Sequence, residues 1–145
     1  MNKFKSLTAA IVFATGVMAG GQASAAEYYT QVTTTAPTPI DLINDKNEAT
    51  LGNGQSRIVH AVIITNTDSS PVKVTLTKSV AVASGDTLVT KAVAIVPASS
   101  THEISFPSGL YLYKTNAKVY DDIQVELSTT SSTPSADFTF DFKDN

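Results

Sequence analysis

The sequence predicts an all-β protein: a single antiparallel β-sandwich or jelly roll of about eight strands, following a cleaved signal peptide. Three observations predict it. Short runs rich in Val, Ile, Thr, Tyr and Phe recur along the chain, several with strict apolar–polar alternation. Gly, Pro, Asn and Ser punctuate these runs at regular intervals. No segment beyond the first residues sustains the 3.6-residue period of an amphipathic helix.

The first 25 residues stand apart from the fold. Lys3 and Lys5 precede a mostly apolar stretch from Leu7 to Met18, and Ala23-Ser24-Ala25 forms a small-x-small cleavage signal. The apolar stretch is too short to span a bilayer, so it reads as a secretory signal peptide cut after Ala25 or Ala26. Removing Lys3 and Lys5 leaves 8 cationic residues against 13 anionic ones, a net charge of −5. The expected site of action is outside the cytoplasm: extracellular, cell-surface or periplasmic.

The chain has no cysteine, which excludes disulfide stapling, thiol catalysis and thiolate metal sites. No Lys/Arg cluster exists to neutralise phosphates, so nucleic acid is not an expected partner. Stability then rests on burial, sheet pairing or association with other chains.

Residues 26–39 form a Thr/Pro-rich arm, read as either an edge strand or a loose segment that adds to a neighbouring subunit. Ala36-Pro37-Thr38-Pro39 closes it, because proline cannot donate to a ladder. The sandwich domain is expected over residues 40–145. Ile40, Leu42 and Ile43 make a short apolar patch ahead of a polar loop from Asn44 to Gln55. Within that loop Asp45-Lys46-Asn47-Glu48 only faintly resembles a calcium loop, lacking the glycine and the distal glutamate, and it reads as a solvated turn.

The central element is Arg57 to Asn66, β-branched almost throughout and apolar on both faces. Strict alternation places Ile58, His60, Val62 and Ile64 on one face, with Val59, Ala61 and Ile63 on the other. Val72, Val74 and Leu76 then alternate with Lys73, Thr75 and Thr77, giving a half-buried strand. A second doubly apolar run is Ala92 to Val96, ended by Pro97. Ile104 and Phe106 form a short strand closed by Pro107-Ser108-Gly109. Leu110 and Leu112 point inward, leaving Tyr111 and Tyr113 outward. Ile123, Val125 and Leu127 alternate with Gln124 and Glu126, and the last strand sets Phe138, Phe140 and Phe142 against Thr139, Asp141 and Lys143.

The strings Ile64-Thr65-Asn66-Thr67-Asp68 through Val74-Thr75-Leu76, then Ile95 to Thr101, then Gly109-Leu110-Tyr111-Leu112 resemble small β-sandwich proteins of phage virions or secreted surface assemblies. There, a strand ending in Asn-Thr turns into an alternating strand, and a later Pro-Ala-Ser-type turn precedes a short strand and a Gly-Leu step. The resemblance covers roughly half of the mature chain and implies a sandwich fold. It carries no functional residues.

Catalytic and ligand-binding candidates are few. His60 lies within an apolar strand and His102 near a turn, with Glu103 pointing to the opposite face from its neighbour. Asp121, Asp122 and Glu126 offer oxygen ligands for calcium, but Asp122 and Glu126 also read as the wet face of a strand. No Gly-x-Ser-x-Gly occurs. The expectation is a non-enzyme without cofactor or metal.

Two functions remain. The first is a structural protein that self-associates into an oligomer, filament or surface assembly through Val59, Ala61, Ile63, Val93 and Ile95, an apolar row too large to leave uncovered. The second is a secreted module binding a glycan or surface receptor at Tyr111 and Tyr113, whose rings share a strand face.

Overall fold

The computed structural model describes residues 25–43, 51–82, 85–131 and 133–145. The predicted signal peptide up to residue 24 and the Asp45–Glu48 motif lie outside the described residues. Nine strands, and no helix among the described residues, make up the fold: β1 (Ala25–Val32), β2 (Thr38–Ile40), β3 (Ser56–Asn66), β4 (Val72–Val80), β5 (Thr87–Val96), β6 (Thr101–Asn116), β7 (Val119–Tyr120), β8 (Asp122–Thr129) and β9 (Ala136–Asp144). They form a five-stranded sheet in the order β1-β9-β3-β6-β7 and a four-stranded sheet in the order β2-β8-β4-β5. The pairings are antiparallel.

The segment up to residue 40, read from the sequence as either an edge strand or a loose arm, supplies an edge strand to each sheet. β1 pairs with β9 over its whole length, from Ala25↔Lys143 to Val32↔Ala136. β2 pairs with β8 from Thr38↔Val125 to Ile40↔Ile123.

Alternation drives the packing. The inward residues Val72, Val74 and Leu76 of β4, Ile123, Val125 and Leu127 of β8, and Phe138, Phe140 and Phe142 of β9 meet in one buried cluster drawn from both sheets. This is a β-sandwich-like core, in which each sheet buries one face.

β3 departs from strict alternation. Its register slips between Val59 and Ala61, so His60 is an extra residue opposite β9 and forms a bulge. Val62 and Ile64 face the core as expected, but upstream of the bulge the faces are exchanged. Val59, expected outside, is 0% exposed and sits in the core cluster. Ile58, expected inside, is buried instead against Gly109 of β6. β6 carries its own irregularity opposite His60: Val59 pairs with Leu110 and Ala61 with Ser105, leaving residues 106–109 looped out. Gly109 has φ +76°, and a Cβ there would collide with the Ile58 side chain, so only glycine fits.

Buried polar side chains close the two ends. At one, the Arg57 guanidinium donates to both Asp144 carboxylate oxygens at 2.6 and 2.9 Å, and also to the Leu42 carbonyl. It stacks on the Phe142 ring 4.3 Å from the centroid. Nearby, the buried Lys114 ammonium donates to the Leu51 carbonyl at 2.8 Å. At the other end, the Asn66 amide nitrogen donates to the carbonyls of Ser70, Val96 and Pro97 at 2.9, 3.0 and 3.0 Å. Its side-chain oxygen accepts from the Asp68 N–H at 2.9 Å. Asn66 therefore ties the β3–β4 turn to the β5–β6 turn, one sheet to the other.

Candidate interaction surface

The five residues expected to form one apolar row are distributed over three environments. Val59 belongs to the core, for the reason given by the His60 bulge. Ala61 and Ile63 are half-buried on the outer face of the five-stranded sheet. Each is flanked by polar partners, Ala61 by Asp141 and Ser105, and Ile63 by Thr139 and Glu103. Val93 and Ile95 lie in the other sheet, on the outward face of β5. They do not adjoin Ala61 and Ile63, which corrects the expected continuous patch.

Among the described residues, the exposed large aliphatic side chains gather mainly on β5. Ile95 is 70% exposed and Val93 54%, and Leu88 at 58% continues the strand. β5 ends the four-stranded sheet, so its far edge also has no strand partner among the described residues. The outward neighbours of Ile95 and Val93 on β4 are Lys73 and Thr75. An apolar outer row beside an open edge was not legible from the β5 sequence alone, which reads like any doubly buried strand.

Tyr111 and Tyr113 fall as expected on one outward strand face, 50% and 48% exposed. Their β3 partners are Ile58 and Ser56. The backbone beneath is held firmly, because Lys78 of β4 crosses between the sheets to donate to the Tyr111 carbonyl at 2.6 Å. Lys78 also pairs with Asp121 at 2.7 Å, whose other contacts are the N–H groups of Tyr113 and Ala81. Asp121 thus acts as a structural acceptor in this geometry.

His60 occupies the β3 bulge, while His102 lies opposite Ile64 and is exposed. Among the described residues no group of three or more His, Asp or Glu side chains is placed to hold a metal ion. Nor is any helix there long and apolar enough to cross a membrane.

Asp122 is a carboxylate in an unfavourable setting. Burial pushes it up to about 6, with added repulsion from Asp41, Asp86 and Asp121. Its Oδ1 is buried without a hydrogen-bond partner. The folded state therefore holds this proton more tightly than the unfolded chain does, and stability falls as pH rises from the ordinary carboxylate range through 6. A shift of this size corresponds to roughly 3 kcal/mol in full, and solvent screening of a half-buried group reduces it to about 1 kcal/mol. Asp122→Asn should be more stable than the parent at pH 7.5 and come closest to it near pH 3, below the ordinary aspartate value. Thermal melts at the two pH values check this, and an equal difference at both would show that the charge is not the cause.

No protein-family model matches this chain, and no curated protein is significantly similar to it.

Proposed function

We propose that this chain is an exported, non-enzymatic building block that associates with copies of itself. The observation that carries this reading is β5, an open edge strand whose outward Leu88, Val93 and Ile95 are all more than half exposed. Covering such side chains contributes roughly 25 cal/mol per Å² of apolar area removed from water. The export part rests on Lys3, Lys5, the apolar stretch that follows and Ala23-Ser24-Ala25. Absence of cysteine fits it too: with no disulfides, contacts between copies are a remaining source of added stability.

The exposed pair Tyr111 and Tyr113 favours a second reading, a glycan- or receptor-binding module. Size-exclusion chromatography with light scattering on residues 26–145 separates the two. Self-association gives species larger than the monomer that dissociate on dilution. Ile95→Lys should abolish them without lowering the melting temperature, since the side chain is 70% exposed and a charge there reaches no core residue. A particle of monomer mass at every concentration would overturn the building-block reading in favour of the binding module.

A further inference from the structure

We propose that copies of the chain join by main-chain pairing between the β1 edge of one and the β5 edge of the next. This specifies the contact behind the self-association proposed above, and rests on it.

The two sheets have four edges, and two of them are guarded. β2 is three residues long and includes Pro39, which has no N–H to offer. β7 has two residues, and β6 beside it is broken by Pro107 and the looped-out residues 106–109. β1 and β5 are different. They are eight and ten residues long, contain no proline, and among the described residues each ends its sheet. Along such a strand every second residue turns its N–H and C=O away from the sheet, a template for another strand.

These open edges sit on opposite flanks. β1 is the end of the five-stranded sheet away from β6, whereas β5 packs beside β6. One copy therefore offers both halves of the contact. Pairing β1 with a second copy's β5 leaves a free β5 on one side and a free β1 on the other. Such a contact is heterologous and repeats without closing unless its rotation brings the ends together.

Charge selects unlike over like pairing. Glu27 is the only charged side chain of β1 and Lys91 the only one of β5. Both are exposed, and neither has an ion-pair partner among the described residues. Two β1 edges, or two β5 edges, carry side-chain charge of one sign on both strands. A β1 edge against a β5 edge carries opposite signs, and cross-strand pairs of opposite charge stabilise while like charges repel. Lys91 also occupies a bulge, since Leu76 pairs with Ala92 and Thr77 with Thr90, which sets its side chain off the regular row.

The experiment uses the mature chain and three variants, Glu27→Lys, Lys91→Glu and the double exchange, with light scattering over a dilution series. Circular dichroism confirms that each is folded, as exposed positions require. Each single variant should weaken association about tenfold, and the double exchange should restore it. Single variants that associate like the parent, or a double exchange that fails to recover, would overturn the β1–β5 contact while leaving self-association standing. A parent chain that is monomeric throughout would overturn both.

Discussion

Deleting β9 by ending the chain after Ser135 should leave a protein with no cooperative unfolding transition. β9 lies between β1 and β3, so its loss removes two ladders and cuts β1 away from the sheet. Phe138, Phe140 and Phe142 are fully buried, each worth about 1.5–3 kcal/mol in burial alone. A domain of this size has a net stability of about 5–15 kcal/mol, which three rings and two ladders exhaust. A gentler version is Phe140→Ala, whose side chain meets Phe138 with ring centroids 6.3 Å apart and Tyr28 of β1 at the same distance. The resulting cavity should cost about 3–5 kcal/mol. Circular dichroism melts test both variants. A truncated chain melting like the parent would show that β9 is an accessory strand.

Asn66→Asp should be the most damaging single-atom exchange in the molecule. The amide nitrogen of Asn66 shares its two hydrogens among three carbonyls, and the residue is buried. Aspartate replaces that donor with an acceptor, so oxygen faces oxygen three times and the carboxylate gains no compensating bond there. A buried charge left uncompensated costs about 3–5 kcal/mol, more than the loss of partners in Asn66→Ala. The expected order of melting temperature at pH 7 is parent, then Ala, then Asp. Lowering the pH should recover part of the loss in the Asp variant only, because protonation restores a donor. An Asp variant as stable as the Ala variant would mean that the three contacts contribute little.

Strand placement was readable wherever one face is apolar and the other is not. Val72-Val74-Leu76 and Phe138-Phe140-Phe142 sit in the core as their alternation requires. β3 was readable as a strand but not in its phase. A one-residue bulge leaves an apolar run looking the same, and only a polar residue on the wrong face could have betrayed it. His60 is that residue: strict alternation sets its polar ring on the inward face with Ile58, Val62 and Ile64, whereas Arg57 falls on the outward face of that reading and raises no conflict. The division of the candidate surface was hidden for another reason. Apolar periodicity says which residues are buried but not which sheet a strand joins, so it sets Val93 and Ile95 beside Ala61 and Ile63, although β5 belongs to the β2-β8-β4-β5 sheet and β3 to the other. The end clamps at Arg57, Asn66 and Lys114 depend on Asp144, Val96 and Leu51, partners that no local pattern announces.

The pairing of the first strand with the last has a consequence in time. Residue 25 meets residue 143, and β3 takes β9 as a neighbour only after the intervening chain exists. A polypeptide emerging from its amino end therefore has no partner for β1, and no cover for one side of β3, until its final strand appears. Contacts of such long sequence separation form slowly, because the loop must close before the pairing rewards it. The five-stranded sheet is accordingly completed last, after the four-stranded sheet already has all of its strands.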